Sequence, residues 1–274
     1  MVKLKYLSFL IISVIILSCS SDDDSVVNDD EQNNGNYLPL VIDNSWNYKN
    51  TISNFNGNND TNNETVSVIS EEMVNDTLFF QASSDNPSVN LTSTGILVGG
   101  ELFKEDNQLF VKGQFDNFGS DIPGGFAVPI EANIFPVYSK TAGSNAELFS
   151  ESGSYTQTQS GVDLDLNYTL SSKNAGSMNS MEVNGTTYED VIISTLTLNL
   201  EITTTVTQGG IPINVIILSE QDVYSTTHYF ANEVGMIKSE SVTSFDFEDI
   251  PNLNLQDINS TTVQELQTYN IILP

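Results

Sequence analysis

The sequence predicts an all-β fold, mainly antiparallel: a curved sheet or half-barrel of long strands, with few short helices, one of them near the C-terminus. Three observations predict it. In residues 192–206, Ile192, Leu196, Leu198, Leu200, Ile202 and Val206 share one phase, while Thr195, Thr197, Asn199, Glu201, Thr203 and Thr205 fill the other. A period of two with β-branched enrichment marks a strand with one buried and one wet face. Similar runs recur along the chain between Asn, Asp and Gly clusters, whereas helical periodicity is scarce. Finally, strands this long favour a strongly curved sheet over a compact sandwich, because a sheet with one apolar face must cover it or close on itself.

Taken in order, Trp46 and Tyr48 alternate with Asn47 and Lys49 in the first strand. Val66 and Val68 mark the second, and 78–82, 90–98 and 108–112 are further strand-like runs. Leu164, Leu166, Tyr168 and Leu170 alternate against Asp163, Asp165 and Asn167. Asn184-Gly185 is a type I′ hairpin signal, and Gln208-Gly209-Gly210 turns the chain before Ile213, Val215 and Ile217. Strands over 223–231 and 235–245 join around Asn232-Glu233-Val234. Two helical segments are expected, one turn at 146–150 and a short helix at 261–269. Thr261 and Gln264 would form the capping box of the second, with Val263 and Leu266 on its apolar side. A single β domain over 37–274 is the economical reading.

The 274 residues carry 8 basic side chains, all lysine, against 36 acidic ones, for a net charge of −28. That balance argues against nucleic acid, which needs a basic patch. It keeps a domain soluble, and it is equally a compositional habit of AT-rich genomes. One cysteine forms no internal disulfide. At the amino terminus Lys3 and Lys5 precede an apolar run from Tyr6 to Leu17. This is a secretory signal over 1–18, too short for the ~20 residues that span a bilayer. Residues 20–36 are acidic and rich in Ser and Asn, and 19–36 is expected to be a disordered tether.

Ile16-Leu17-Ser18-Cys19 resembles the bacterial lipobox. The resemblance implies that the Cys19 thiol is diacylglycerated, the signal is cut before it and the new amine is acylated; Ser20, where an inner-membrane retention signal would have aspartate, favours the outer membrane. Asp22, Asp23 and Asp24 resemble the acidic export signal of Bacteroidetes surface lipoproteins, which implies an outward-facing protein. Within the domain, "LPLVIDNSWNYK", "VNGTTYEDVI" and "HYFANEVGMIKSE" occur in an order found in a class of flavobacterial surface lipoproteins. Related domains are similar to the curved sheets of lipoprotein carriers of the LolA and LppX type. These motifs are structural signatures and carry no catalytic chemistry. Where most relatives have a glycine, in G-N-x-W style, the spot reads Asp43-Asn44-Ser45 before the tryptophan here.

No catalytic constellation stands out, so an enzyme is not expected. His228 is the only histidine and reads as an ordinary strand residue. No metal or cofactor is implied: zinc sites want several His or Cys ligands. The Asn-rich run 54–64 misses EF-hand spacing, and Asp163, Asp165 and Asn167 are explained as a wet strand face. One stretch, 115–138, mixes Gly and Pro with Phe118, Phe126, Phe135 and Tyr138. These aromatics are candidates for a ligand rim, the alternative being a pair of edge strands with proline breaks. Three functional classes stay open. They are a surface module binding an apolar small molecule or glycan, a structural subunit of an envelope complex, and a carboxylate-based hydrolase. The carrier reading expects an apolar concavity; the structural reading expects a packed interior.

Overall fold

The computed structural model describes residues 35–53, 59–86, 93–118, 128–159, 161–250 and 255–273. The lipobox, Cys19 and Asp22, Asp23 and Asp24 lie outside them, as does most of the expected tether. From Gly35 the chain forms one unit built on a single sheet of twelve antiparallel strands. The strands are β1 (Ser45–Ser53), β2 (Asn59–Val74), β3 (Thr77–Ser84), β4 (Gly100–Glu105), β5 (Gln108–Phe118) and β6 (Val128–Ser139). The second half supplies β7 (Glu147–Gln159), β8 (Val162–Val183), β9 (Thr186–Gln208), β10 (Ile211–Ala231), β11 (Gly235–Phe245) and β12 (Ile258–Asn270).

Their order is β6-β5-β4-β3-β2-β1-β12-β11-β10-β9-β8-β7, so the chain steps outward from β1, then restarts at the far edge and returns to it. The sheet is nearly closed into a barrel. Across the seam Ser172 Oγ donates to the Pro136 carbonyl at 2.8 Å, and the rings of Phe135 and Phe149 lie 5.9 Å apart. Below them the 140–146 turn pads the exposed flank of β8: Asn145 N donates to Asn174 O, and Asn174 N to Ala146 O. Pro136 fits an edge strand, where an imino nitrogen breaks no ladder.

The long strands follow their alternation. Ile192, Leu196, Leu198, Leu200 and Ile202 of β9 are all buried. Each such side chain contributes roughly 1.5–3 kcal/mol when removed from water. Both hairpin signals form as read, with positive φ at Asn184 and Gly185 and at Gly209 and Gly210. The pattern outruns the barrel at the β9–β10 tip: Val206 and Ile213, cross-strand partners, are 42% and 40% exposed. The segments 213–217 and 223–231 join into one strand, β10, with register shifts between Ile216 and Tyr224.

Three local expectations are overturned. The expected C-terminal helix at 261–269 is strand β12, hydrogen-bonded between β1 and β11. Its helix-forming residues yield to two open strand edges that nothing else pairs, a tertiary override of propensity. The expected turn at 146–150 opens β7. Conversely 90–98, read as strand-like, holds the helix α1 (Ser93–Val98), whose Ser93, Thr94, Ile96 and Leu97 are buried. Adjacent buried residues fit a helix enclosed by its surroundings, not a two-faced strand.

Candidate functional site

The three motif segments meet at one end of the barrel. Trp46 Nε1 donates to Val234 O at 2.6 Å, and Tyr48 OH to Met236 O at 2.9 Å. Gly235 has φ +115, and a Cβ there would come 2.6 Å from Trp46 Nε1. Tyr37 OH donates to Asp190 Oδ1 at 2.8 Å, Asn232 N to Asp190 O at 3.1 Å, and Asn44 Nδ2 to Pro39 O at 2.8 Å. Asn44 Oδ1 also accepts from Ile272 N at 2.7 Å, tying this turn to the segment after β12. The motifs therefore interlock the start of the domain with the β10–β11 turn, a structural role.

Inside the barrel lies a polar cluster that the sequence reading did not single out. Glu64 is 1% exposed, and four donors converge on its carboxylate. Ser84 Oγ donates to Oε1 at 2.8 Å. Thr94 Oγ1 (2.8 Å), Asn50 Nδ2 (3.0 Å) and Gln264 Nε2 (3.3 Å) donate to Oε2. Thr94 comes from α1, so the helix is pinned by its first turn to the barrel floor. Ser93 Oγ and Thr226 Oγ1 lie 2.9 Å apart, and Ser241 Oγ donates to Thr226 Oγ1 at 2.9 Å. Burial first, then the charge of Glu64 and the neighbouring Tyr188, hold the Tyr48 phenol well above its ordinary range.

The register reveals an order in these side chains. Cross-strand partners run from Asn62 to Asn50, Gln264, Ser239, His228, Ser194 and Asn174, one on each strand from β2 through β1, β12, β11, β10 and β9 to β8. Direct partners point to the same face of a sheet, so a single polar row crosses the barrel wall from within. Its middle is satisfied: Ser239 Oγ donates to Gln264 Oε1 at 3.1 Å. Among the described residues three buried polar side-chain atoms have no hydrogen-bond partner: Asn62 Oδ1, Ser194 Oγ and His228 Nδ1. All three belong to this row. His228 is 2% exposed, and burial lowers its pKa from 6.5 to about 4, so the imidazole is neutral at physiological pH. The signal that could have found the row and the Glu64 cluster is a polar residue in the buried phase: Asn50 after Trp46 and Tyr48 for the row, Glu64 before Val66 and Val68 for the cluster.

Two clefts bear on the row and on α1. One, of about 320 Å³, lies at the seam and is lined by Ser139, Lys140, Ser144, Asn174, Gly176 and Ile192 among others, so the β8 end of the row opens into it. The other, about 540 Å³, runs past Val98, Gly99 and Gly100 beside β5.

The aromatic candidates separate. Phe135 and Tyr138 are buried at 1% and 2%, packed on Phe149 and on Tyr37 and Phe230, so they belong to the core and not to an exposed rim. Phe118 ends β5 opposite Val128, and Phe126 lies outside the described residues. The described parts of 115–138 are an edge pair, β5 and β6. Asp163 and Asp165 lie on the wet face, accepting from Thr158 and Thr156 at 2.6 and 2.8 Å.

No family model matches the chain, and no curated relative does. Two solved structures resemble it. One is a candidate lipoprotein from Parabacteroides distasonis, 12% identical, with a TM-score of 0.40 over 85% of this chain and 99% of that one. The other is a candidate exported protein with a YmcC-like fold from Bacteroides fragilis, 7% identical, with a TM-score of 0.40 over 86% and 100%. Likeness at this level says nothing of what this chain binds.

Proposed function

We propose that the chain is a lipid-anchored outer-membrane protein facing outward, whose barrel is a binding module for a polar ligand of the glycan type. The anchor rests on Ile16-Leu17-Ser18-Cys19, placed directly after an apolar signal core. Two or more acyl chains hold a protein stably where one does not, at about 0.8 kcal/mol for each buried methylene. The acidic run from Asp22 to Asp24 supports export to the surface.

The observation that carries the binding half is the polar row, with buried groups whose hydrogen bonds are unmade. The apolar half of the expectation, a carrier of LolA or LppX type, finds less support. The concave face is occupied by core side chains and by α1, as a structural subunit would also require. Labelling cells with an alkyne fatty acid should tag wild type and spare Cys19→Ala. Equal labelling of both would remove the anchor. Native mass spectrometry of the Cys19→Ala chain with oligosaccharides should show saturable adducts. A bare spectrum beside a cooperative melt would favour the structural subunit.

A further inference from the structure

We propose that the seam cleft continues inward along the polar row as a site for a small, neutral, hydroxylated molecule, with Ser194 and His228 as its inner hydrogen-bonding groups. This rests on reading the barrel as a binding module and adds the place and the ligand's chemistry.

The site starts from geometry. Asn174 and Ile192 line the cleft, which lies between β8 and the 140–146 turn. Asn174 is the cross-strand partner of Ser194, and Ser194 of His228. Ser194 is thus one strand inward from the cleft and His228 two. Antiparallel partners stand roughly 4.5–5.5 Å apart. The cleft's lining ends at Asn174 and Ile192, with Ser194 and His228 closed off behind it at 0% and 2% exposure, so a molecule meets the hydroxyl and then the imidazole where the Asn174 side chain gives way. Asn174 itself is held by its own bonds, Nδ2 donating to the Ala142 carbonyl and, at 3.2 Å, to that of Gly143. It frames the mouth, while the two groups behind it keep unmade hydrogen bonds. Leaving a buried polar group without a partner is costly, and a ligand supplying both partners recovers that cost.

The chemistry of the ligand follows from what the row lacks. Asn174, Ser194 and His228 bear no fixed charge, and burial keeps the imidazole neutral. The one charged residue lining the cleft is Lys140, whose Nζ lies over the Tyr37 ring. Past it an anion finds no further cation in the row and no arginine anywhere in the chain, and the protein as a whole carries −28. A cation finds no carboxylate among the three. A hydroxyl both donates and accepts, so adjacent hydroxyls of a polyol or sugar satisfy Ser194 Oγ and His228 Nδ1 together, whichever tautomer the ring holds. Phe230, with its ring centroid 5.8 Å from that of His228, and Ile192 give the C–H faces of such a molecule an apolar wall. Gly176 keeps the mouth open: its φ is +116, and a Cβ there would sit 3.2 Å from Ser144 Oγ.

The single histidine makes the test direct. The full chain carrying Cys19→Ala, labelled with ¹⁵N in histidine, gives one set of imidazole signals. Glucose and myo-inositol are the probes, with acetate as an anionic control and an apolar dye as a second. Either polyol should move the imidazole signals saturably, and Ser194→Ala should weaken that binding roughly tenfold, as loss of one hydrogen bond does. If Ser194→Ala does not fold, Ser194→Cys keeps the side chain's shape with a slightly larger atom and weakens the bond. Calorimetric binding that leaves the imidazole unmoved would overturn this site while sparing the module. No saturable response to either polyol, or a response to the dye alone, would overturn the proposal. So would equal affinity in wild type and variant, which would mean that only water fills the row.

Discussion

Glu64 and His228 show two ways of burying a polar side chain. Glu64 takes four hydrogen bonds and no lysine among the described ion pairs. Gln264 Nε2 keeps Asn50 Oδ1 and Thr94 Oγ1 as acceptors, but truncating Glu64 removes the acceptor that Ser84, Thr94 and Asn50 share inside the barrel, so Glu64→Ala should cost about 3 kcal/mol or more, read as a lowered urea midpoint. His228 is buried with Nδ1 unpartnered. Its folded pKa of about 4 lies below the 6.5 of the unfolded chain. Between these values the unfolded chain binds the proton and the native one does not, so stability rises with pH through that window. It falls as the pH drops from 6.5 towards 4, by about 3 kcal/mol in all. Urea melts at pH 7 and pH 4.5 should show His228→Gln losing less stability on acidification than wild type. Equal losses would show that the carboxylates alone set the acid response.

At the scale of elements, β12 is the instructive case. Thr261 and Gln264 look like a capping box, yet Gln264 and Leu266 both face the core at 0% and 1% exposure. Two residues apart and both buried is the phase of a strand. A helix starting after Thr261 would accept proline at 262 without loss, because the first helical position has no bond to break. In a strand hydrogen-bonded on both sides, proline breaks the ladder. Thr262→Pro should therefore cost about 3 kcal/mol or more in a thermal melt. The Trp46 cradle gives a second case: Gly235→Ala should destabilise by about 2 kcal/mol, from a strained φ and a clash with the indole.

What could be read from the sequence divides on the same physical line. Period-two runs with marked turns, such as β8 and β9, were legible because a half-buried strand writes its own alternation. Segments whose state depends on distant partners were not. For β12 the deciding partners are β1 and β11; for α1 they are Glu64, Gln264 and Thr226, brought from far along the chain. Phe135 and Tyr138 were misplaced because exposure cannot be read from aromatic content alone. The polar row depends on register across seven strands, which no single segment encodes.

At the scale of the whole unit from Gly35, the described residues form a sheet whose ladder is continuous except at one seam. There the link is side-chain bonds, ring contacts and a few turn hydrogen bonds. Local opening is easiest where few backbone bonds resist it. Amides of 140–146 and of β6 should exchange with deuterium well before those of β9 and β10, and Asn174→Ala should speed the seam alone.

The strand order carries a consequence for how the chain becomes a fold. β1 pairs on one side with β2, its neighbour in sequence, and on the other with β12, so Ser45 faces Asn270. A ribosome or a secretion channel delivers the chain from its amino end. Every strand through β11 is therefore out while one flank of β1 still waits, and the core cannot be sealed until the last stretch arrives. Until then the two halves of the sheet, β1 to β6 and β7 to β11, lack the strand that joins them. Completion waits on Ile258–Asn270, and among the described residues no other segment of the sheet order supplies the seat between β1 and β11.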